Sequence, residues 1–189
     1  LTQILEMSKS APKTYQFLLD YWLGHYQRSK RPESELVLKY LVEAYCLKGQ
    51  TPWIEEYKIE RFKGQIALNK NQFLGDTFLN LHLNDSSGNE FKLSDKRKDY
   101  QLILFWDPNC GHCKVEIPAY FNVYQKYKAS GFNAVAIYKD LMIDDWKKFI
   151  NEQGLNWTNA VPEKHGSIFN GDFIVTETPS MFLLDKSGK

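Results

Sequence analysis

Residues 1–70 carry apolar side chains at the spacing of an α-helix. The first clear stripe repeats every three or four positions and consists of Tyr15, Leu18, Leu19, Trp22, Leu23 and Tyr26. Such a stripe predicts an amphipathic helix with one buried face. A second helical pattern runs from about Ser34 to Gly49, where glycine suits the left-handed turn after a helix end. A third helix is predicted over 52–69, with the Thr51 hydroxyl as its cap and Pro52 in its first turn.

After residue 70 the apolar spacing changes to that of strands. Two short strands, at about 78–84 and 90–93, flank a polar turn at 85–89 and predict a β-hairpin. Buried strands are then predicted at 102–106, 132–138 and 181–185, with helices at 110–129 and 144–152 and a loop from there to Phe173 and Val175. Alternating strands and helices indicate an α/β fold, and we expect the buried strands to pair in parallel.

The change of period divides the chain into two predicted parts. Residues 1–70 form an all-α N-terminal domain, and residues 71–189 form an α/β domain. We expect the two parts to pack together, because no linker rich in Pro, Gly or Ser separates them near residues 68–76.

Composition narrows the classes of function. With 189 residues, 43% of them hydrophobic, and a mean hydropathy of −0.48, the chain reads as a soluble globular protein with a substantial core. Its 24 basic and 23 acidic residues give a net charge of +1 and provide no electrostatic support for nucleic-acid binding. The chain begins at Leu1 without a signal-peptide pattern, so we expect a processed or trimmed start.

Two of the three cysteines form a Cys-x-x-Cys pair at the start of a predicted helix, directly after a buried strand. The spacing of Cys110, Gly111, His112 and Cys113 allows a small disulfide ring to close. The helix N-terminus favours the Cys110 thiolate and lowers its pKa below the ~8.5 of a free cysteine. We therefore expect Cys110 to attack, Cys113 to resolve the mixed disulfide, and a protonated His112 to stabilise the thiolate further. This chemistry requires no cofactor beyond the redox-active disulfide.

Other uses of the cysteine pair fit the sequence less well. A zinc site would need two more ligands, and only His112 and His165 are obvious recruits. Covalent c-type haem requires His directly after the second cysteine, where Lys114 stands. A peroxide-reducing cysteine usually follows Thr or Ser by three positions, where Asp107 stands. An inert structural disulfide stays open as an alternative, and Cys46 is interpreted as a buried hydrophobe.

The residues around the pair resemble a known family. Two segments are similar to sequences of the thioredoxin superfamily. The first is Phe105-Trp106-Asp107-Pro108-Asn109-Cys110-Gly111-His112-Cys113-Lys114, with the Glu116-Ile117-Pro118 that follows, and the second begins Thr178-Pro179-Ser180. The similarity is strongest to the TlpA/ResA-like thiol-disulfide oxidoreductases of the bacterial envelope and runs from about residue 73 to 189. It implies a thioredoxin-like central sheet flanked by helices, and an enzyme that exchanges disulfides with protein substrates.

The resemblance also implies roles for five further residues. Pro179 matches a cis-proline that faces the cysteines, and Thr178 would offer backbone groups to an extended substrate strand. Trp106 matches an aromatic residue that shields the active site. Glu116 matches a carboxylate that would accept the proton of the resolving thiol. Pro118 matches the proline that kinks the active-site helix.

The chain also departs from the family pattern. Leu104 stands where cytoplasmic thioredoxins carry an acidic residue. The proton of the resolving thiol must therefore be accepted by Glu116 or by water, or no group assists its transfer. The Gly-His dipeptide is that of protein disulfide isomerases and suggests a less strongly reducing couple. The chain stops at Lys189, before the final strand and helix of the family, so either it is cut short or another chain completes the sheet edge.

The same resemblance implies partners and a location. It indicates protein thiol or disulfide substrates and an upstream redox partner. It also indicates a location in the bacterial envelope, in the periplasm, and is compatible with a membrane tether outside this chain. The N-terminal helices resemble helical segments found in some Bacteroidetes envelope proteins. The alternative hypothesis is a non-catalytic envelope module that uses the thioredoxin-like scaffold for interaction.

Overall fold

The chain folds into two compact units. The computed structural model describes residues 1–29, 31–68, 72–139, 142–163, 175 and 177–189. The units are Leu1–Leu74, here called the helical unit, and Gly75–Lys189, here called the sheet unit. The predicted boundary between residues 70 and 71 lies outside the described residues. None of the helices in the described ranges has the length and apolarity needed to cross a bilayer.

The helical unit is all-α in its described residues, as the apolar spacing predicts. Its elements are α1 (Thr2–Ser8), α2 (Pro12–Arg28), α3 (Pro32–Leu41), a π-helical segment (Val42–Cys46) and α4 (Glu56–Leu68). The stripe on α2 is confirmed, since Tyr15, Leu19 and Leu23 are buried. The short helix α1 was not predicted, although its Leu5 is completely buried in the same core.

The predicted start of the third helix is wrong. Helix α4 begins at Glu56 and not at Pro52. The Thr51 carbonyl accepts a hydrogen bond from the Ile54 N–H at 2.9 Å, which closes a tight turn ahead of the helix. Proline after a small polar residue is favoured at the second position of a turn as well as at a helix start, so the dipeptide alone does not decide between them.

The sheet unit is built from six strands and two α-helices in its described residues. They are β1 (His82–Asp85), β2 (Glu90–Lys92), β3 (Tyr100–Trp106), α5 (Gly111–Tyr127), β4 (Phe132–Tyr138), α6 (Ile143–Gln153), β5 (Thr158–Pro162) and β6 (Ser180–Asp185). The strands lie in the order β2-β1-β5-β4-β3-β6. The predicted hairpin is confirmed, with Gly88 at φ +88° in its turn.

Two predictions about the sheet are wrong. Residues 158–162 form β5, between β1 and β4, where a loop was expected. The strand contains Asn159 and Pro162, and both residue types are depleted in strands. The unpredicted β5 pairs in parallel with β4. Strand β6 pairs antiparallel to β3, whereas β3 and β4 pair in parallel as expected. The side chains of β6 alternate between buried Leu184 and Leu183, which is 61% exposed, a pattern typical of an antiparallel edge strand.

Strand β3 contributes side chains to both cores of the sheet unit. Ile103 and Phe105 lie in the core on one face of the sheet. Leu104 and Trp106 lie in the core on the other face, together with Cys113 of α5. The cysteine-bearing helix is therefore anchored on the strand that immediately precedes it.

Truncation of a β3 side chain tests this role. Ile103 is completely buried, so Ile103→Ala is expected to lower the free energy of unfolding by about 2–5 kcal/mol through lost burial and a residual cavity. Urea unfolding measures the change. Val123→Ala on α5, where the side chain is 48% exposed, is the control and should cost less than about 0.5 kcal/mol. Equal losses in the two variants would contradict the contribution of β3 to the cores of the sheet unit.

Candidate active site

A polar turn after β3 sets the start of α5. Strand β3 ends at Trp106, and the Cys110 N–H donates to the Asp107 carbonyl at 3.1 Å. The Asp107 carboxylate accepts the Asn109 N–H at 2.7 Å. Cys110 has extended backbone angles and is the last residue before α5. The turn therefore presents the Cys110 side chain to the free N–H groups of the first helical turn.

The two cysteines differ in exposure although they lie one helical turn apart. Cys110 is half-buried, whereas Cys113 is 0% exposed and belongs to the core beneath α5. Both are free thiols in this structure. A reactant from solvent can thus meet Cys110, while Cys113 is covered.

The surroundings of Cys110 stabilise its thiolate. The backbone N–H of Cys113 is the largest influence on the pKa of Cys110 and lowers it, against an opposing effect of burial. The Thr178 side chain, the Cys113 thiol and the backbone N–H of His112 also lower it, and the net pKa is about 7. The two backbone N–H groups are donors of the kind that a helix N-terminus offers to an anion. The His112 side chain is exposed, and the expected effect of its protonated ring stays a prediction.

Cys113 has the opposite character. Burial raises its pKa to about 11, and the neighbouring Cys110 sulfur adds to the increase, whereas the backbone of Asp107 and the side chain of Thr178 act against it. At neutral pH Cys113 therefore retains its proton. This difference favours the assignment of Cys110 as the attacking thiol, which stays a prediction.

The segment before β6 approaches the cysteines from a distant part of the chain. The Cys110 thiol donates to the Thr178 carbonyl at 3.3 Å, across a sequence separation of 68 residues. The expected cis peptide between Thr178 and Pro179 is present. Thr178, Pro179 and Cys110 are thus brought together, which sequence spacing alone does not predict.

Glu116 lies one turn beyond Cys113 and bonds to a residue that the sequence analysis missed. Its Oε2 accepts a hydrogen bond of 2.6 Å from the Tyr120 hydroxyl. The i, i+4 spacing of Glu116 and Tyr120 was the available signal, because such residues face each other on a helix. The role of Glu116 as a proton acceptor stays a prediction.

The remaining predicted site residues occupy different positions around the pair. Trp106 is 0% exposed, lies in the same core as Cys113 and packs on Phe149 with ring centroids 5.2 Å apart. Its role in shielding the site stays a prediction. Gly111 is exposed, and a Cβ there would meet no atom within 4 Å. Pro118 lies inside α5, which continues to Tyr127.

The described residues do not bring together three or more His, Cys, Asp or Glu side chains in an arrangement that could hold a metal. His165, a candidate ligand in the zinc alternative, lies outside the described residues. Cys46 is buried in the core of the helical unit, where burial raises the pKa of its thiol.

Comparisons with known proteins identify the family of the chain. A model of the AhpC/TSA family matches residues 74–189. The thiol-disulfide oxidoreductase ResA of Bacillus thuringiensis (strain Al Hakam) is 29% identical over 128 residues, which are 68% of this chain and 73% of that protein.

Solved structures show the same fold. A domain of a possible thiol-disulfide isomerase from Cytophaga hutchinsonii is 30% identical, with a TM-score of 0.57 over 61% of this chain and 80% of that chain. A thioredoxin-like protein from Bacteroides caccae covers 97% of this chain and 77% of its own, with a TM-score of 0.65 at 21% identity. Because the family model spans more than half of the chain, the protein belongs to the AhpC/TSA family, and it is a TlpA/ResA-like thiol-disulfide oxidoreductase of the thioredoxin superfamily.

Proposed function

We propose that the protein exchanges disulfides with cysteine residues of other proteins through its Cys110-Gly111-His112-Cys113 motif. The observation that carries the proposal is the contrast between two thiols one helical turn apart. Cys110 is accessible with a pKa of about 7, and Cys113 is buried with a pKa of about 11. A reactive thiol with a protected partner is the arrangement that exchange through a mixed disulfide requires.

In the reducing direction, the Cys110 thiolate attacks one sulfur of a substrate disulfide. The substrate S–S bond breaks, a mixed disulfide forms, and one substrate cysteine leaves as a thiolate. Cys113 then loses its proton, for which we propose Glu116 as the acceptor, and attacks the Cys110 sulfur. The second substrate thiolate leaves, so two electrons have passed to the substrate and the Cys110–Cys113 disulfide has formed.

The substrate is proposed to lie along the Thr178-Pro179 segment. The Thr178 carbonyl is within 3.3 Å of the Cys110 sulfur, so a peptide in extended conformation that pairs with this backbone would bring its own sulfur to Cys110. Backbone pairing is independent of side chains, which suits an enzyme that acts on several protein substrates.

We further propose that the protein works in the bacterial envelope, in the periplasm, with an upstream redox partner and a membrane tether outside this chain. The need for turnover supports the upstream partner. Each reducing cycle leaves a disulfide that another protein must reduce, and each oxidising cycle leaves a dithiol that another protein must oxidise. Protein disulfides persist in extracytoplasmic compartments, where substrates for exchange are available. The redox-active cysteines suffice for the chemistry, and no further cofactor is proposed.

Serine substitutions test the roles of the two cysteines. Cys110→Ser is expected to reduce insulin-reduction activity to the background rate, because the attacking sulfur is lost. Cys113→Ser should retain the first attack and accumulate a mixed disulfide on Cys110, visible by mass spectrometry. Cys46→Ser, in the other unit, is the control and should keep full activity. Activity in the Cys110→Ser variant would refute the proposal.

The pH dependence of alkylation tests the Cys110 thiolate. Only the thiolate reacts, so with a pKa of about 7 the rate of iodoacetamide modification should have its midpoint near pH 7. Below the midpoint the rate should fall about tenfold per pH unit as the thiol becomes protonated. Peptide mapping should locate the label on Cys110, because Cys113 has a pKa of about 11 and is buried. A midpoint at the value of a free cysteine would contradict the described environment.

Thr178 provides a second test through its hydroxyl group. The Thr178 side chain is one of the groups that lower the pKa of Cys110, so Thr178→Val should shift the alkylation midpoint to higher pH. Valine keeps the shape and the backbone carbonyl, whereas Thr178→Ser keeps the hydroxyl and should titrate like the wild type. If valine leaves the midpoint unchanged, the hydroxyl has no part in stabilising the thiolate.

A further inference from the structure

The carboxylate of Glu116 is held by a phenol one turn further along α5. The Tyr120 hydroxyl donates to Glu116 Oε2 at 2.6 Å. A bond of this length between a hydroxyl and a carboxylate is of the short, charge-assisted kind. It joins two side chains on the helix face that also carries Cys113.

The donor itself is fixed in place. Tyr120 is half-buried and packs against the core that contains Cys113 and Ile117. Its pKa is raised to about 12, chiefly by burial, with contributions from Glu116 and from Cys113. The phenol therefore keeps its proton at neutral pH and donates a hydrogen bond to the carboxylate.

A carboxylate on a helix surface otherwise samples several rotamers. Glutamate has three side-chain torsions, and ordering them costs conformational entropy. A tyrosine ring has only two, and here packing restricts them. Because the Tyr120 ring is packed against the core, its hydrogen bond restricts the rotamers of Glu116. The Glu116 side chain itself is half-exposed.

We propose that Tyr120 is a positioning residue for the resolving half of the exchange, in which it holds the Glu116 carboxylate ready to take the Cys113 proton. This inference rests on the proposed function and on the proposed role of Glu116. As the Cys113 sulfur bonds to the Cys110 sulfur, the Cys113 proton moves to the carboxylate and the substrate cysteine leaves with the electron pair of the broken S–S bond. The neutral acid then returns its proton to the departing thiolate or to water.

The chain offers a matched control for removing the phenol oxygen. Tyr124 lies on the same helix one turn beyond Tyr120 and packs on Phe121 and Trp157. Tyr124→Phe and Tyr120→Phe each delete one hydroxyl and keep the ring, so both variants should fold. Only Tyr120→Phe removes a hydrogen-bond donor from Glu116.

The test is a single-turnover reaction of the reduced protein with glutathione disulfide, quenched with acid and analysed by mass spectrometry. Tyr120→Phe should slow conversion of the mixed disulfide to the Cys110–Cys113 disulfide about tenfold, because a misplaced proton acceptor reacts less often. The rate at which Cys110 first attacks should not change. Glu116→Gln should slow the same step, and the double variant should be no slower than Glu116→Gln alone, since both act through one interaction. Tyr124→Phe should match the wild type.

The outcomes separate this inference from the proposed function. Wild-type resolution in Tyr120→Phe together with slow resolution in Glu116→Gln would overturn the role of Tyr120 and leave the rest intact. If the rate reduction in the double variant equals the product of the two single reductions, the role of Tyr120 is also overturned, because Tyr120 would then act independently of Glu116. Wild-type resolution in Glu116→Gln would remove both residues from the mechanism. Failure of the exchange function itself has a different signature, which is activity without Cys110.

Discussion

Burial of β3 on both faces of the sheet is the constraint on which the active site depends. Every residue from Gln101 to Trp106 is buried, and parallel pairing with β4 and antiparallel pairing with β6 hold the strand from both sides. The strand therefore ends at a fixed point, and the turn after it must start α5 there. A rigid strand end gives the first N–H groups of the helix a defined position, and Cys110 lies among them.

One local geometry gives the two thiols opposite properties. Donors at the helix start stabilise a charge on Cys110, while Cys113, one turn deeper, faces the apolar core and is destabilised as an anion. These are the two general influences on a buried or partly buried acid, hydrogen bonding to its charged form and desolvation. The proposed order of reaction rests on this contrast, since the sulfur that ionises at neutral pH is also the one that a substrate can reach.

The sequence predicts the parts of the site that are local in the chain. The run at 102–106, the polar turn and the cysteine spacing together place α5 and its thiols, because each is a strong signal over a few residues. The resemblance to a family adds the cis peptide before Pro179. Pattern alone misses β5, whose Asn159 is satisfied by hydrogen bonds to the Leu155 and Trp157 carbonyls, and it misses the contact between Cys110 and Thr178. Strand β5 depends on pairing with β1 and β4, and Cys110 reaches Thr178 only in the folded chain. Neither feature produces a periodic pattern in the sequence.

The proton of Cys113 connects these observations to the chemistry. A thiol with a pKa of about 11 must lose its proton as it attacks, so a nearby base speeds the step. Leu104 of β3 is completely buried in the same core, and this aliphatic side chain stands where cytoplasmic thioredoxins have an acidic one. Helix α5 contains a single acidic residue, Glu116, and its carboxylate is bonded to Tyr120. With the proposed role of Glu116, an acid on the helix replaces an acid on the strand, and proton transfer takes place at the half-exposed edge of α5, where water can complete it.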